Sequence, residues 1–140
     1  MPDVQPQTPP LSRADKDRLV AAAQGMLARA YAPYSNFRVG AAVLTAAGNI
    51  YAGCNVENAS YGLTICAERS AISAAVAAEG AGMRIRGIAV MNSANAACSP
   101  CGACRQVMLE FGPQATVIYR GQAGLDEALA TQLLPAGFSL

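Results

Sequence analysis

From Ala67 to Glu79 the chain reads Ala-Glu-Arg-Ser-Ala-Ile-Ser-Ala-Ala-Val-Ala-Ala-Glu, a helix-length segment that is apolar nearly all round past its first turn. A helix without a polar face is normally covered on most sides. Thr64 is a candidate cap at its start and Gly80 a stop at its end. A chain of 140 residues has room for one hydrophobic core and not for two. It can cover such a helix either at the centre of a monomer or between copies of itself. Charged residues are only 14% of the sequence, against about 25% in an average soluble protein. So little charge favours the second arrangement, and an oligomer is expected.

The segments around this helix set the class. Ser12, with Asp15 three residues on, caps a first helix through Leu19, Ala23, Met26 and Leu27, ending near Tyr31 ahead of Pro33. Arg38 to Thr45 and Ile50 to Cys54 read as two strands of a hairpin, turned at Ala47-Gly48-Asn49. Asn55 to Leu63 is a polar loop. Ile85 to Met91 is a buried-type strand, Asn92 to Pro100 a loop, Cys101 to Phe111 a third helix ended by Gly112-Pro113, and Thr116 to Tyr119 a further strand. Strands alternate with helices after residue 50, which gives an α/β domain with part of its sheet parallel. Leu125 to Ala130 has a composition that favours helix.

The domain spans residues 12–140, behind a flexible arm at 1–11 that is rich in proline. The arm lacks the basic and apolar regions of a signal peptide, and no apolar stretch is long enough to span a bilayer. A cytoplasmic protein with no membrane partner is expected, and in that compartment thiols stay reduced. The net charge is +1, which provides no basic footprint for nucleic acid.

The sequence has no histidine and five cysteines. Without imidazole there is no Ser-His-Asp or Cys-His engine, and any transition-metal site rests mainly on thiolates. In Pro100-Cys101-Gly102-Ala103-Cys104 the two thiols lie at i and i+3 of a helix's first turn, where both can face one point. Pro100 suits a helix start, and the positive end of the helix favours thiolate. Cys66-Ala67-Glu68 opens the alanine-rich helix in the same manner. Three cysteines, Cys66, Cys101 and Cys104, leave a fourth zinc position open, as in catalytic sites. A closed four-thiolate site that adds Cys98 and a redox Cys-x-x-Cys pair are the other arrangements. Ser99 precedes a proline and is held extended, which directs Cys98 away from the helix face. Cys54 reads as a small core residue. An open zinc needs a proton shuttle, and Glu68 is the carboxylate placed by spacing. On its own, Glu68 is also an ordinary first-turn acid favoured by the helix dipole.

Beyond this cluster the chain resembles the small homotetrameric, zinc-dependent cytidine deaminases. The resemblance covers roughly Tyr31 to Phe138. It rests on Tyr34-Ser35-x-Phe37-x-Val39-Gly40-Ala41-Ala42, Gly53-Cys54-Asn55-Val56-Glu57-Asn58-Ala59-Ser60-Tyr61, Cys66-Ala67-Glu68-Arg69, Pro100-Cys101-Gly102-Ala103-Cys104-Arg105-Gln106 and Leu133-Leu134-Pro135-x-x-Phe138, in that order. A non-ligand glutamate beside a Pro-Cys-x-x-Cys zinc motif is also the general signature of zinc nucleobase deaminases. The resemblance implies a three-layer α-β-α sandwich with a mixed, mostly five-stranded sheet. It implies one Zn²⁺ per subunit on Cys66, Cys101 and Cys104. Glu68 then moves protons between the zinc-bound water, N3 of cytosine and the departing amine, and cytidine or deoxycytidine is converted to uridine or deoxyuridine and ammonia, in pyrimidine salvage.

The resemblance also implies that Phe37 packs on the pyrimidine and that Asn55 and Glu57 bind ribose hydroxyls. The Ala67 N–H faces the base carbonyl and the Ser99 carbonyl faces the amino group. Ala59, Tyr61 and Phe138 are implied to come from neighbouring subunits of a tetramer with shared sites. Read from composition alone, Phe37 is a core aromatic and Asn55 a turn residue. Arg69 is expected to donate to the ligand thiolates and offset their charge. Arg105, which follows the second ligand motif, has either that role or a subunit salt bridge. The family also places a short last strand near 125–130, before a small helix near Leu133, against the helical composition there. The alternatives are a deaminase of a cytosine-nucleoside antibiotic, which shares the Cys-x-Glu pattern, and a non-catalytic four-cysteine zinc module.

Overall fold

Ser12 and Asp15 cap the first helix reciprocally in the computed structural model, which describes residues 10–140. Ser12 Oγ accepts the Asp15 N–H at 3.0 Å, and Asp15 Oδ2 accepts the Ser12 N–H at 3.4 Å. This helix, α1, spans Arg13–Gly25. It ends earlier than Tyr31, at the residue with the weakest helical preference in the segment, and the chain continues through a tight 3₁₀ turn at Leu27–Arg29. Tyr31 is then drawn into a bridge with Val56. Residues 1–9 of the expected arm lie outside the described residues. Leu11, placed at the end of that arm, is buried and packs into the same cluster as Leu19 and Ala23 of α1.

The hairpin forms as expected, with β1 at Val39–Thr45 and β2 at Ile50–Cys54 paired antiparallel from Gly40↔Cys54 to Leu44↔Ile50. Gly48 turns it with φ +90°, a left-handed value that other side chains resist. The alanine-rich helix is α2, Ala67–Glu79. Its N-cap is Cys66, with extended backbone, and not Thr64, so the helix starts at the metal-ligand candidate itself. Gly80 stops it at φ +84°. Strand β3, Ile85–Asn92, runs beside β1, and a loop leads to α3, Gly102–Phe111. Strand β4, Thr116–Arg120, returns parallel to β3.

Leu125–Leu129 is a strand, β5, as the resemblance implies and against the helix its composition favours. It pairs antiparallel with β4 from Thr116↔Leu129 to Arg120↔Leu125. The open edge of β4 offers this segment a ladder of backbone hydrogen bonds, and that tertiary pairing outweighs a weak local propensity. The short helix α4, Ala130–Leu133, follows. Among the described residues the sheet order is β2-β1-β3-β4-β5, so the sheet is mixed, with β3/β4 its one parallel pair of strands.

Strand alternation builds two cores and hence three layers. Ala41, Val43, Ile88, Val90 and Val117 face Ala71, Ile72 and Ala75 of α2 and Met108 of α3. Ala42, Leu44, Ala89, Met91 and Ile118 face Leu19 and Ala23 of α1. Both helix layers approach closely because the sheet offers glycine beneath them. A Cβ on Gly40 would overlap the Ala23 carbonyl, and one on Gly53 would stand 2.5 Å from the Ala71 nitrogen. The sheet covers α2 on one side only: Ala71, Ile72 and Ala75 are buried, while Ser73, Ala74, Ala77 and Ala78 are exposed. No helix among the described residues is long and apolar enough to cross a membrane.

Candidate metal centre and active site

Strands β2 and β3 both end toward the starts of α2 and α3, so two helix N-termini come together. Cys66 and Cys101 are their N-caps, with φ/ψ of −72°/152° and −66°/164°. Cys104, fully buried, lies one turn into α3. The three Sγ atoms lie within 4.8 Å of one another, and Cys66 and Cys101 are 3.9 Å apart. Zinc with thiolates at about 2.3 Å in a tetrahedron separates sulfurs by about 3.8 Å, so the donor set fits that ion. Cys98 stands apart. Its N–H bonds the Arg120 carbonyl at 2.9 Å, and its exposed thiol lies 3.8 Å from the Ser99 carbonyl. Cys54, at the end of β2, is half-buried with Sγ 3.5 Å from the Arg29 carbonyl.

The charge of the thiols is managed locally. Arg69 Nη2 donates to Cys66 Sγ at 3.3 Å. The Cys66 thiol is pushed down to about 5, first by a hydrogen bond from Cys104 and then by Arg69, with burial opposing. The same shared proton, together with burial, pushes Cys104 up, so Cys66 ionises first. Arg105 does something different from Arg69. Its guanidinium donates to the Pro100 carbonyl at 2.6 Å, the Leu133 carbonyl at 2.8 Å and Ser99 Oγ at 2.8 Å. It ties the loop before Cys101 to the C-terminal segment.

Glu68, second residue of α2, is only 4% exposed. Burial is the main cause that raises its carboxyl above the usual carboxylate range, and the nearby Cys66 adds to it. Its own backbone N–H and the Cys104 thiol bond the carboxylate and work the other way. Ala67 is the first residue of that helix, so its amide is among those with no intrahelical acceptor. Ser99 is exposed immediately ahead of the buried Pro100.

Phe37 is half-buried at the entrance to β1. Asn55 is 8% exposed and clasps that entrance: Oδ1 accepts the Val39 N–H at 2.9 Å and Nδ2 donates to the Phe37 carbonyl at 2.8 Å. Half of its side-chain hydrogen-bonding capacity is therefore spent on the backbone, a use that neither reading of Asn55 from the sequence had assigned. Glu57 lines a cleft of about 290 Å³ with Tyr34, Ser35, Asn58, Tyr61 and Thr64. Its carboxylate is held below the usual range, first by the Ser35 hydroxyl and then by the Tyr34 and Ser35 amides, against burial. Ala59 is exposed, as are Tyr61 at 80% and Phe138 at 68%. Gln106 holds the tail through a two-way clasp: Nε2 donates to the Phe138 carbonyl at 2.9 Å and Oε1 accepts its N–H at 3.1 Å. Ser35 and Gln106 lay inside quoted motifs without an assigned task. A larger cleft, about 610 Å³, lies between α3 and the tail and has no cysteine in its lining.

Residues 13–120 match the family model described as the cytidine and deoxycytidylate deaminase zinc-binding region. The chain belongs to that deaminase family. It is 41% identical to a cytidine deaminase of Sporosarcina psychrophila over 89% of this chain and 92% of the relative. It is 44% identical to one of Halalkalibacterium halodurans over 89% and 95%. Among solved structures it superposes on the cytidine deaminase of Burkholderia pseudomallei with a TM-score of 0.80 at 44% identity, covering 91% of this chain and all (100%) of that one. For the Mycobacterium tuberculosis enzyme the values are 0.78, 39%, 90% and 98%. The family's zinc-binding region thus includes the three-thiol cluster, whose donor set suits zinc.

Proposed function

We propose that this chain is a zinc-dependent cytidine deaminase that hydrolyses the C4–amine bond of cytidine and deoxycytidine to give uridine or deoxyuridine and ammonia. The observation that carries the proposal is a buried glutamate, Glu68, beside three thiols gathered at two helix N-termini. Zinc, when bound by Cys66, Cys101 and Cys104, supplies a Lewis acid that brings the acidity of water near neutrality. The remaining work falls to side chains. Glu68 takes one proton from the attacking water and delivers it to N3, then takes the second from the hydroxyl added at C4 and delivers it to the departing amine. Both water protons are thus accounted for as C4 becomes a carbonyl and ammonia leaves. A carboxyl with raised proton affinity is suited to both holding and releasing that proton near neutral pH. Three thiolates leave the filled centre negative, and Arg69 offsets part of that charge at Cys66.

Phe37 packs on the pyrimidine, the Ala67 amide receives the base carbonyl, and the Ser99 carbonyl receives the amino group. Glu57 binds a ribose hydroxyl, and Asn55 contributes its one unspent Nδ2 hydrogen. The working form is a homotetramer with shared sites, in which Ala59, Tyr61 and Phe138 reach a neighbour. The exposed alanine face of α2 and the exposed Tyr61 and Phe138 support this. The setting is cytoplasmic pyrimidine salvage, with no nucleic-acid or membrane partner, and residues 12–140 act as the single catalytic domain. The test is to incubate the purified protein with cytidine, deoxycytidine, deoxycytidylate and cytosine and follow ultraviolet absorbance. Turnover of both nucleosides is expected. No reaction with either overturns the proposal.

A further inference from the structure

The turn before β1 is built around one hydroxyl. Ser35 Oγ donates its single proton to Glu57 Oε2 at 2.5 Å and accepts the Phe37 N–H at 3.0 Å. The other carboxylate oxygen, Glu57 Oε1, takes the amides of Tyr34 at 2.9 Å and Ser35 at 3.2 Å. Asn36 lies between them at φ +59°, a left-handed conformation that asparagine tolerates better than most residues, and its N–H bonds the Ala32 carbonyl at 3.0 Å. From the other side, Asn55 holds the Phe37 carbonyl. Both polar groups of the Phe37 backbone are therefore pinned, and the Ser35 hydroxyl is the group that touches both Phe37 and Glu57.

We propose that Ser35 is a positioning residue. Through this hydroxyl it sets the Glu57 carboxylate and the Phe37 backbone in the mutual arrangement that a ribosyl pyrimidine needs, with the sugar hydroxyl on the one and the base on the other. The inference rests on the substrate contacts proposed above for Glu57 and Phe37, and it assigns to Ser35 an effect on binding and not on the deamination step. Without the hydroxyl the carboxylate is held through Oε1 alone, by the Tyr34 and Ser35 amides, and its Oε2 loses the bond that fixes it for the sugar. The Phe37 N–H would lose its acceptor at the same time. Binding that is equal in ground and transition states appears in KM and leaves kcat in place.

The test is steady-state kinetics on cytidine with the zinc-loaded enzyme, comparing wild type, Ser35→Ala, Ser35→Thr, Glu57→Ala and the Ser35→Ala/Glu57→Ala double variant. Loss of a hydrogen bond to a charged group corresponds to about 10- to 100-fold. Ser35→Ala is therefore expected to raise KM by about tenfold or more, with kcat within about threefold. Ser35→Thr keeps the hydroxyl at an exposed position and restores KM to within about threefold of wild type. In the Glu57→Ala background the further effect of Ser35→Ala shrinks, because most of it passes through that carboxylate. Should Ser35→Ala fail to fold, as judged by zinc content and melting temperature, Ser35→Cys keeps the volume with a weak donor and carries the same expectation. An unmoved KM, a loss that falls on kcat, no rescue by threonine, or full additivity with Glu57→Ala each overturns the inference. A wild-type enzyme without activity on cytidine removes the substrate reading and this inference together. A competent wild type with an unmoved Ser35→Ala removes the inference alone.

Discussion

Replacing Asn55 with alanine separates a structural clasp from a substrate ligand. The side chain makes hydrogen bonds of 2.9 Å to the Val39 N–H and 2.8 Å to the Phe37 carbonyl. Asn55 is itself 8% exposed, so water reaches the gap poorly. Each backbone group left without a partner costs about 1–3 kcal/mol. Val39 and Phe37 are half-buried, which allows partial rehydration and favours the lower half of that range. The expected loss is roughly 2–4 kcal/mol, with a fall in melting temperature of roughly 6–20 °C for a domain of this size. The assay is thermal unfolding at one fixed protein and zinc concentration, since both assembly and metal raise the apparent stability by mass action. KM for cytidine should rise as well, because Phe37 loses one of its two backbone anchors. A melting temperature within about 2 °C of wild type, together with a raised KM, refutes the clasp and leaves Asn55 as a sugar ligand alone.

Glu68→Gln keeps the thiol cluster intact and removes the proton shuttle. Zinc content by atomic absorption should match wild type while turnover falls by about 10²- to 10⁴-fold. Arg69→Ala removes the donor on Cys66 Sγ, and zinc affinity by competition with a chelator, or turnover, should fall by about 10- to 100-fold. Glu79 accepts hydrogen bonds from Asn49 and Thr45 that hold its carboxyl below the ordinary 4.5, with burial opposing. A depressed folded-state value means stability that is present above the unfolded pKa and lost as pH falls through the folded one. The melting temperature of wild type should therefore decline toward acid more steeply than that of Glu79→Gln, with the two curves converging below the ordinary carboxylate range.

The members of the metal cluster were legible in the sequence, and for the Cys101/Cys104 pair the cause is local. Cys101 and Cys104 are neighbours by helical spacing, Pro100 marks the helix start, and Cys66 opens a second helix. Glu68 followed from the absence of histidine and from its place beside Cys66. The hairpin, α2, β3, α3 and β4 were equally plain from periodicity and glycine stops. Four features were not. Helix α1 ended at Gly25 and not near Tyr31. Thr64 did not cap α2. Composition at 125–129 favoured helix where the chain forms a strand. Arg105, one residue past the second ligand motif, went to the carbonyls of Pro100 and Leu133 and to Ser99 Oγ, neither a thiolate nor a salt bridge.

What the sequence determined by itself is therefore the chemistry: three thiols, one carboxylate, the absence of any imidazole, and an alanine-rich helix that needs cover. What only the tertiary structure decided is which groups meet across the chain. Asn55 reaches Val39 and Phe37 because β1 and β2 pair in the register Gly40↔Cys54, which sets residue 55 beside residue 39. Ser35 reaches Glu57 across 22 positions of sequence, and Arg105 reaches Leu133 across 28. Short-range spacing fixes direction within one turn of helix or one hairpin. Contacts at greater separation depend on register and on which layer lies above, and those are set by burial of the whole sheet.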